Sequence, residues 1–250
     1  MIPAMTTTEF KFALASTRNV FDQTLVIVVP TALGWLTVLE SSVHKHWAVH
    51  LGASFGSSGA PRYNPSKCFN TFPFPPEPTE EIAVRLNAIG SDIYDVRMGV
   101  MLRSGVGLTK THNRLHDPDE RDPDILHLRA PHTAMDRAVL DAYGWTDIPT
   151  DDDFFLDYEI DEETWGDKKK PYRYCWPDAV RDEVLARLLD LNQKRHQEAV
   201  AAGLHGKHDR AFGTPAQATA KAPRKPRAAA KPAPPTGTLP LFGRNQDEDA

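Results

Sequence analysis

The chain has 250 residues, 25% of them charged and 40% hydrophobic, with a formal net charge of −5. That length gives one domain or two small ones, and no apolar run approaches the roughly 20 residues of a membrane span. Net negative charge is the wrong sign for a stand-alone binder of nucleic acid that depends on phosphate neutralisation. The acids are nevertheless bunched in Asp117–Asp124 and Asp151–Asp167, whereas His44–Lys67 carries Lys45, Arg62 and Lys67 with no acid between them.

From the N-terminus, Phe10–Ala15 and Leu25–Val29 are short β-prone runs and are expected to form two adjacent strands. Thr31 is placed to cap a helix running to about Leu51, with Leu33, Leu36, Leu39, Val43 and Trp47 on one stripe. A Gly/Ser loop, Gly52–Gly59, follows. From Thr79, a cap followed by the first-turn acids Glu80 and Glu81, a long helix is predicted on Ile82, Leu86, Ile89, Ile93, Val96 and Val100, interrupted by Gly105 and Gly107. Asp122 and Pro123 mark the next start, and Met135, Val139 and Tyr143 carry that helix to a stop at Gly144. Asp151–Trp165 reads as a strand or irregular acidic segment, Tyr172–Trp176 as a strand, and Pro177 to about Ala202 as a helix burying Val180, Val184, Leu188 and Leu191. Beyond Gly203 the sequence KAPRKPRAAAKPAPP has too few large apolar residues to offset chain entropy, so a disordered basic tail is expected.

The expected class is therefore α+β: a small sheet with packed helices over residues 1–78, a mainly helical extension over 79–203, and the tail over 204–250. Cys68 and Cys175 stand far apart and predict reduced thiols in a cytoplasm rather than a disulfide framework. The opening MIPAMTTTEFKF has no basic region followed by a long apolar stretch, so no export signal is expected.

The densest signal is Pro61–Pro76, PRYNPSKCFNTFPFPP. Arg62, Tyr63, Lys67, Phe69, Phe72 and Phe74 alternate there with prolines that stiffen the backbone, which predicts a shaped, extended recognition surface. Arg62 offers a guanidinium fork for a guanine edge or a phosphate, with an ion pair beside Tyr63 as the plain alternative. Lys67 suits a phosphate, Tyr63 and Asn64 are positioned in sequence to touch bases, and the three Phe residues are expected in the core. Lys45 and Lys110 are further cations for the backbone of DNA, the latter with Thr109, Asn113 and Arg114; capping and solvation explain that group nearly as well. His44, His46 and His50 do not make a metal site, because residues two apart on a helix point about 200° away from each other and no Cys or acid completes a tetrahedral set.

These residues carry a resemblance. LESSVHKHWA, the Gly/Ser loop and RYNPSKCFNTFPFP resemble the C-terminal target-recognition region of large single-chain adenine-specific DNA methyltransferases of restriction-modification and phage-defence systems, the type IIG group and its relatives. GLTKTHNRLHDPDERDPDILHLRAPHTAMDRAVLDAYGW and RYCWPDAVRDEVLARLLDLNQKRHQEAVAAG are similar to the segments that follow in that family, so the resemblance covers most of Phe10–Gly203. It implies double-stranded DNA as the ligand and S-adenosylmethionine as the cofactor of the complete enzyme.

Such enzymes carry a Gly-rich cofactor loop and an Asn-Pro-Pro-Tyr or Asp-Pro-Pro-Tyr tetrapeptide. This chain has neither: its one Asn-Pro pair, Asn64–Pro65, is followed by Ser66 and Lys67, without the ring that stacks on a flipped adenine. Gly52, Gly56 and Gly59 follow a helix rather than a strand, which is the wrong context for a dinucleotide fingerprint. The expectation is a C-terminal fragment or split subunit with no catalytic residue and no cofactor of its own, which works with a catalytic methyltransferase half. Thr238–Phe242, TLPLF, resembles the short bacterial sliding-clamp-binding peptide but lacks its leading Gln. The rival reading is a protein-interaction subunit whose acidic face and helices dock a partner, without DNA binding.

Overall fold

In the computed structural model the described residues are 1, 10–16, 18–55, 60–160, 165–166 and 168–204. The tail and the TLPLF segment lie outside them. Helices dominate a mixed α+β arrangement: α1 (Gly34–Glu40), α2 (Ser42–Leu51), α3 (Glu80–Ser104), α4 (Leu108–Leu115), α5 (Pro123–Ala142) and α6 (Asp178–Ala201). Two separate antiparallel ribbons pair β1 (Ala53–Phe55) with β2 (Ala60–Arg62) and β3 (Asp153–Leu156) with β4 (Tyr172–Cys175). Residues on either side of position 78 share one compact unit, Met1–Leu204.

The strands predicted at Phe10–Ala15 and Leu25–Val29 do not form a sheet. Ala13 and Leu25 make only isolated bridges. At Phe12 the backbone is satisfied by side chains instead: Phe12 donates its N–H to Glu40 Oε1 (2.8 Å), and Arg97 Nη2 donates to the Phe12 carbonyl (2.9 Å). Phe10 and Phe12 still point inward, being 2% and 0% exposed. A buried ion pair takes the place of the strand partner.

The single helix predicted over 31–51 is two helices. Ser41 adopts φ −62° and ψ 154°, donates its hydroxyl to the Val38 carbonyl (2.7 Å), and accepts the His44 N–H (3.3 Å) to cap α2. Serine offers the backbone a local alternative to continued helix, and Asp136 of α5 secures the break by accepting the Ser42 N–H at 2.7 Å. The break turns Glu40 into the core, where Arg97 holds it at 2.7 Å.

α3 follows the predicted stripe and cap, with Thr79 accepting the Ile82 N–H and Gly105 ending it at φ 64°. α1 crosses α3 closely: Gly34 N–H reaches Asn87 Oδ1 (2.7 Å), and Thr37 donates to the Leu86 carbonyl (2.7 Å). Gly90 permits the approach, since a Cβ there would lie 2.4 Å from the Leu33 carbonyl oxygen. α5 begins at the Asp122 cap and runs through a buried Pro131 to Tyr143, with Gly144 in the left-handed region at φ 77°. One core cluster joins Trp47, Phe72, Leu86, Val139, Leu140, Trp176, Val184 and Leu188; a second joins Phe10, Phe12, Leu36, Leu39, Tyr63 and Cys68.

Candidate nucleic-acid interface

The β1–β2 hairpin emerges from α2 and delivers the chain into a π-helical turn over Pro65–Phe69. Gly52 makes the exit possible, because a Cβ there would stand 2.5 Å from the Ala48 carbonyl and 3.1 Å from that of Arg62. Ala53 then pairs with Arg62.

Inside and outside are divided sharply along this turn. Tyr63 and Cys68 are fully buried, whereas Arg62, Pro65, Ser66 and Lys67 are exposed. The turn is closed by its own backbone: Lys67 and Cys68 N–H groups reach the Asn64 carbonyl (2.9 and 2.6 Å), and Asn70 N–H reaches that of Pro65 (2.9 Å). Asn64 Oδ1 accepts from the Ser66 N–H (3.1 Å) and hydroxyl (2.7 Å), and the Thr71 hydroxyl bonds the Lys67 carbonyl. The Asn64 side chain is thus committed to capping the turn.

Tyr63 cannot meet a base from its place in the core. Its ring packs edge-on to Phe10 and Phe12 at 5.2 and 6.0 Å, and its hydroxyl meets His44 Nε2 at 3.1 Å. Burial pushes its phenol pKa up. The His44 ring is equally enclosed, and burial lowers its pKa to about 4 against the smaller opposing pull of the Leu39 and Cys68 carbonyls. His44 Nδ1 lies 2.8 Å from the Leu39 carbonyl. A carbonyl only accepts, so Nδ1 carries the proton and neutral Nε2 accepts from Tyr63. Burial likewise raises the Cys68 thiol, which donates to the Ala48 carbonyl at 3.5 Å.

The stem after the turn is riveted to the helices. Tyr143 of α5 donates to the Pro73 carbonyl (2.9 Å), Asn192 of α6 to that of Thr71 (2.6 Å), and Arg195 to that of Phe74 (2.6 Å). Phe69, Phe72 and Phe74 pack against one another with ring centroids 4.8–5.1 Å apart, Phe74 lying between Phe72 and Phe69. The block expected to be an extended surface is therefore a compact turn with an aromatic underside. Tyr143, Asn192 and Arg195 escape sequence reading because each reaches at least 70 residues along the chain.

Lys45 and Lys110 sit elsewhere. Lys110 is exposed on α4, which packs on α5 and α3. Lys45 is half-buried and lines a cavity of about 30 Å³ together with Lys11, His46, His116, His132, Asp136, Asp152 and Cys175, room for about one water molecule. Burial, reinforced by the neighbouring Asp152 carboxylate, raises Asp136 to about 7. Burial raises Asp152 to about 6, opposed by the Thr133 hydroxyl and the Lys45 ammonium. Among the described residues no group of three or more His, Cys, Asp or Glu side chains is arranged to hold a metal ion, and no helix is long and apolar enough to cross a membrane.

No family model and no curated protein matches this sequence. Among solved structures the chain is similar to MmeI, described as a Type IIL restriction-modification enzyme in complex with DNA, with a TM-score of 0.53 and 16% identity over 78% of this chain. The chain spans 21% of the length of MmeI. What the two share is a fold, one that also occurs within a restriction-modification enzyme.

Proposed function

We propose that this chain is the DNA target-recognition part of an adenine-specific DNA methyltransferase of a restriction-modification or phage-defence system, working with a catalytic half that binds S-adenosylmethionine. The observation that carries the reading is the shared fold with MmeI over 78% of the chain, an enzyme whose structure was solved on DNA. The exposure of Arg62 and Lys67 beside a hydrogen-bonded turn adds to it. In this role Arg62 contacts a guanine edge or a phosphate and Lys67 a phosphate, while Lys110 and Lys45 contribute to the field around the duplex. Asn64 and Tyr63 act behind the contact as supports. Methyl transfer to the exocyclic nitrogen of a flipped adenine belongs to the partner, and the chain acts in the cytoplasm, where both DNA and the cofactor are.

The test is fluorescence anisotropy of the full chain with a labelled duplex across a salt series. Salt-sensitive binding is expected, with Lys67→Ala weakening it and lowering the slope of log K against log salt by about 0.9, and Arg62→Ala weakening it either with the same decrement, for a phosphate contact, or with relaxed sequence preference, for a guanine contact. One observation favours a second reading: the β3–β4 ribbon exposes Phe155, Leu156 and Tyr158 at 38–54% among Asp151, Asp153, Asp157 and Glu159, as a protein-docking surface would. A chain with only that role gives no anisotropy change on any duplex, even at low salt, and that result overturns the DNA reading.

A further inference from the structure

The turn that carries Lys67 is gripped from beneath by α2. His44 reaches the Tyr63 hydroxyl through Nε2 (3.1 Å), and the Cys68 thiol donates to the Ala48 carbonyl of the same helix (3.5 Å). Those two contacts bracket Asn64–Lys67, the exposed part of the turn. On its far side the His44 ring is fixed by Leu39 at 2.8 Å and packs edge-on to Phe72 at 4.8 Å. His44 is thus tied both to the end of α1 and to the stem of the aromatic block. A neutral imidazole suits this position, because one nitrogen donates to a carbonyl while the other accepts from a hydroxyl. An aliphatic residue fills the volume but leaves the hydroxyl buried without a partner.

We infer that the His44–Tyr63 pair is the positioning device of the DNA-contacting turn, holding the backbone of Asn64–Lys67 so that Lys67 and Arg62 are displayed in one fixed geometry. The inference rests on the DNA reading above and deepens it. Neither residue touches the ligand. Their contribution is to keep a five-residue turn from sampling conformations in which Lys67 points elsewhere, and such preorganisation raises affinity by reducing the ordering cost at binding.

A double-mutant cycle on the full chain tests this, with Tyr63→Phe, Lys67→Ala and the two combined. Tyr63→Phe deletes one oxygen and leaves the ring packing intact. Each single variant is expected to raise the dissociation constant for a duplex about fivefold, and the double variant to bind no worse than Lys67→Ala, a non-additivity of the kind found when two residues act through one contact. The salt slope of Tyr63→Phe falls toward that of Lys67→Ala. Ile125→Ala, fully buried on α5 and outside both core clusters, serves as the control: it lowers thermal stability without changing the dissociation constant of the folded fraction. Should Tyr63→Phe melt below the assay temperature, His44→Leu removes the same bond from its other end, since Leu fills the space of the ring and offers the Tyr63 hydroxyl no acceptor. If the wild type binds and Lys67→Ala weakens it while the Tyr63 or His44 variant binds like the wild type, or adds its effect independently, the positioning role is wrong and the DNA reading survives. If the wild type shows no salt-dependent binding, the DNA reading falls first, and the inference falls with it.

Discussion

Replacing Arg97 by Met is the sharpest test of how the fold is held. Arg97 and Glu40 are 3% and 0% exposed and meet at 2.7 Å, and the pair also supplies both backbone partners of Phe12. The thioether chain fills much of the stem volume of Arg97 but leaves the Glu40 carboxylate buried without its cation and the Phe12 carbonyl without a donor. Breaking one side of a buried pair costs about 3–5 kcal/mol. For a cooperative unit of this size each kcal/mol lowers the melting temperature by about 2–4 °C, so a fall of roughly 6–20 °C is expected by calorimetry. Glu40→Gln combined with Arg97→Met removes the stranded charge while keeping an amide oxygen for Phe12 N–H, and is expected to recover part of that loss. A melting temperature within a degree or two of wild type for Arg97→Met, or a double variant less stable than the single one, would refute the account of the ion pair as the substitute for a missing strand.

Asp136→Asn reports on the polar cavity. The unfolded carboxyl releases its proton near 3.8 and the folded one near 7, so the native state holds a proton that the unfolded state lacks, and wild-type stability falls as pH rises through that window. The Asn variant has no carboxyl to titrate. Its stability relative to wild type should rise between roughly pH 4 and pH 8, by up to about 4 kcal/mol, in urea melts. His44 acts in the opposite sense: its contribution is complete above 6.5 and declines as pH falls toward about 4, so the slope is read as a difference between variant and wild type. Gly90→Ala should destabilise despite improving helix propensity. The added Cβ meets the Leu33 carbonyl at 2.4 Å, and overpacking of about 1–3 kcal/mol outweighs the propensity gain of about 0.5–1 kcal/mol. A thermal melt that rises for this variant would mean that α1 can slide on α3.

The long helices were legible because their signals are local and repeat. Thr79 with Glu80 and Glu81, Asp122 with Pro123, and the Gly105 and Gly144 stops each act within a turn or two of the residues they organise, and all four fall where expected. What was not legible depends on partners far along the chain. Ser41 breaks the first helix with help from Asp136, 94 residues ahead in contact with Ser42. Phe12 gives up strand pairing because Arg97 reaches it from 85 residues away. Gly90 reads as a weak point within a helix until the Leu33 carbonyl is seen above it. At the candidate interface the sequence did not show which residues face outward: Tyr63 and Lys67 are four apart, and only burial against Phe10, Phe12 and His44 separates the enclosed ring from the exposed cation. Aromatic residues beside Pro carry no sequence mark that distinguishes stacking on a base from packing beneath a turn.

Charge then limits how strongly the proposed interface can hold DNA by itself. Many of its arginines are occupied internally: Arg114 by Glu120 and Asp122 (2.6 and 2.8 Å), Arg187 by Asp147 and Glu183 (2.6 and 2.7 Å), Arg137 by Asp141 (2.8 Å) and Arg97 by Glu40. Arg114 holds Glu120 down to about 2, so that acid does not release its partner at any ordinary pH. The exposed pairs among these contribute about 0–1 kcal/mol each to stability, and their larger effect is to remove cations from the surface that phosphates see. If the proposed contacts Arg62 and Lys67 both meet phosphates, the salt slope of the isolated chain should be about −2, shallow beside the slopes of proteins making 6–10 phosphate contacts. Binding should then be measurable at low salt and lost near physiological ionic strength. Joined to a catalytic half with cations of its own, the slope should steepen while the Lys67→Ala decrement stays near about 0.9, because one phosphate contact is lost in either setting. A decrement that vanishes in the assembly would mean that the turn faces the partner protein and not the duplex.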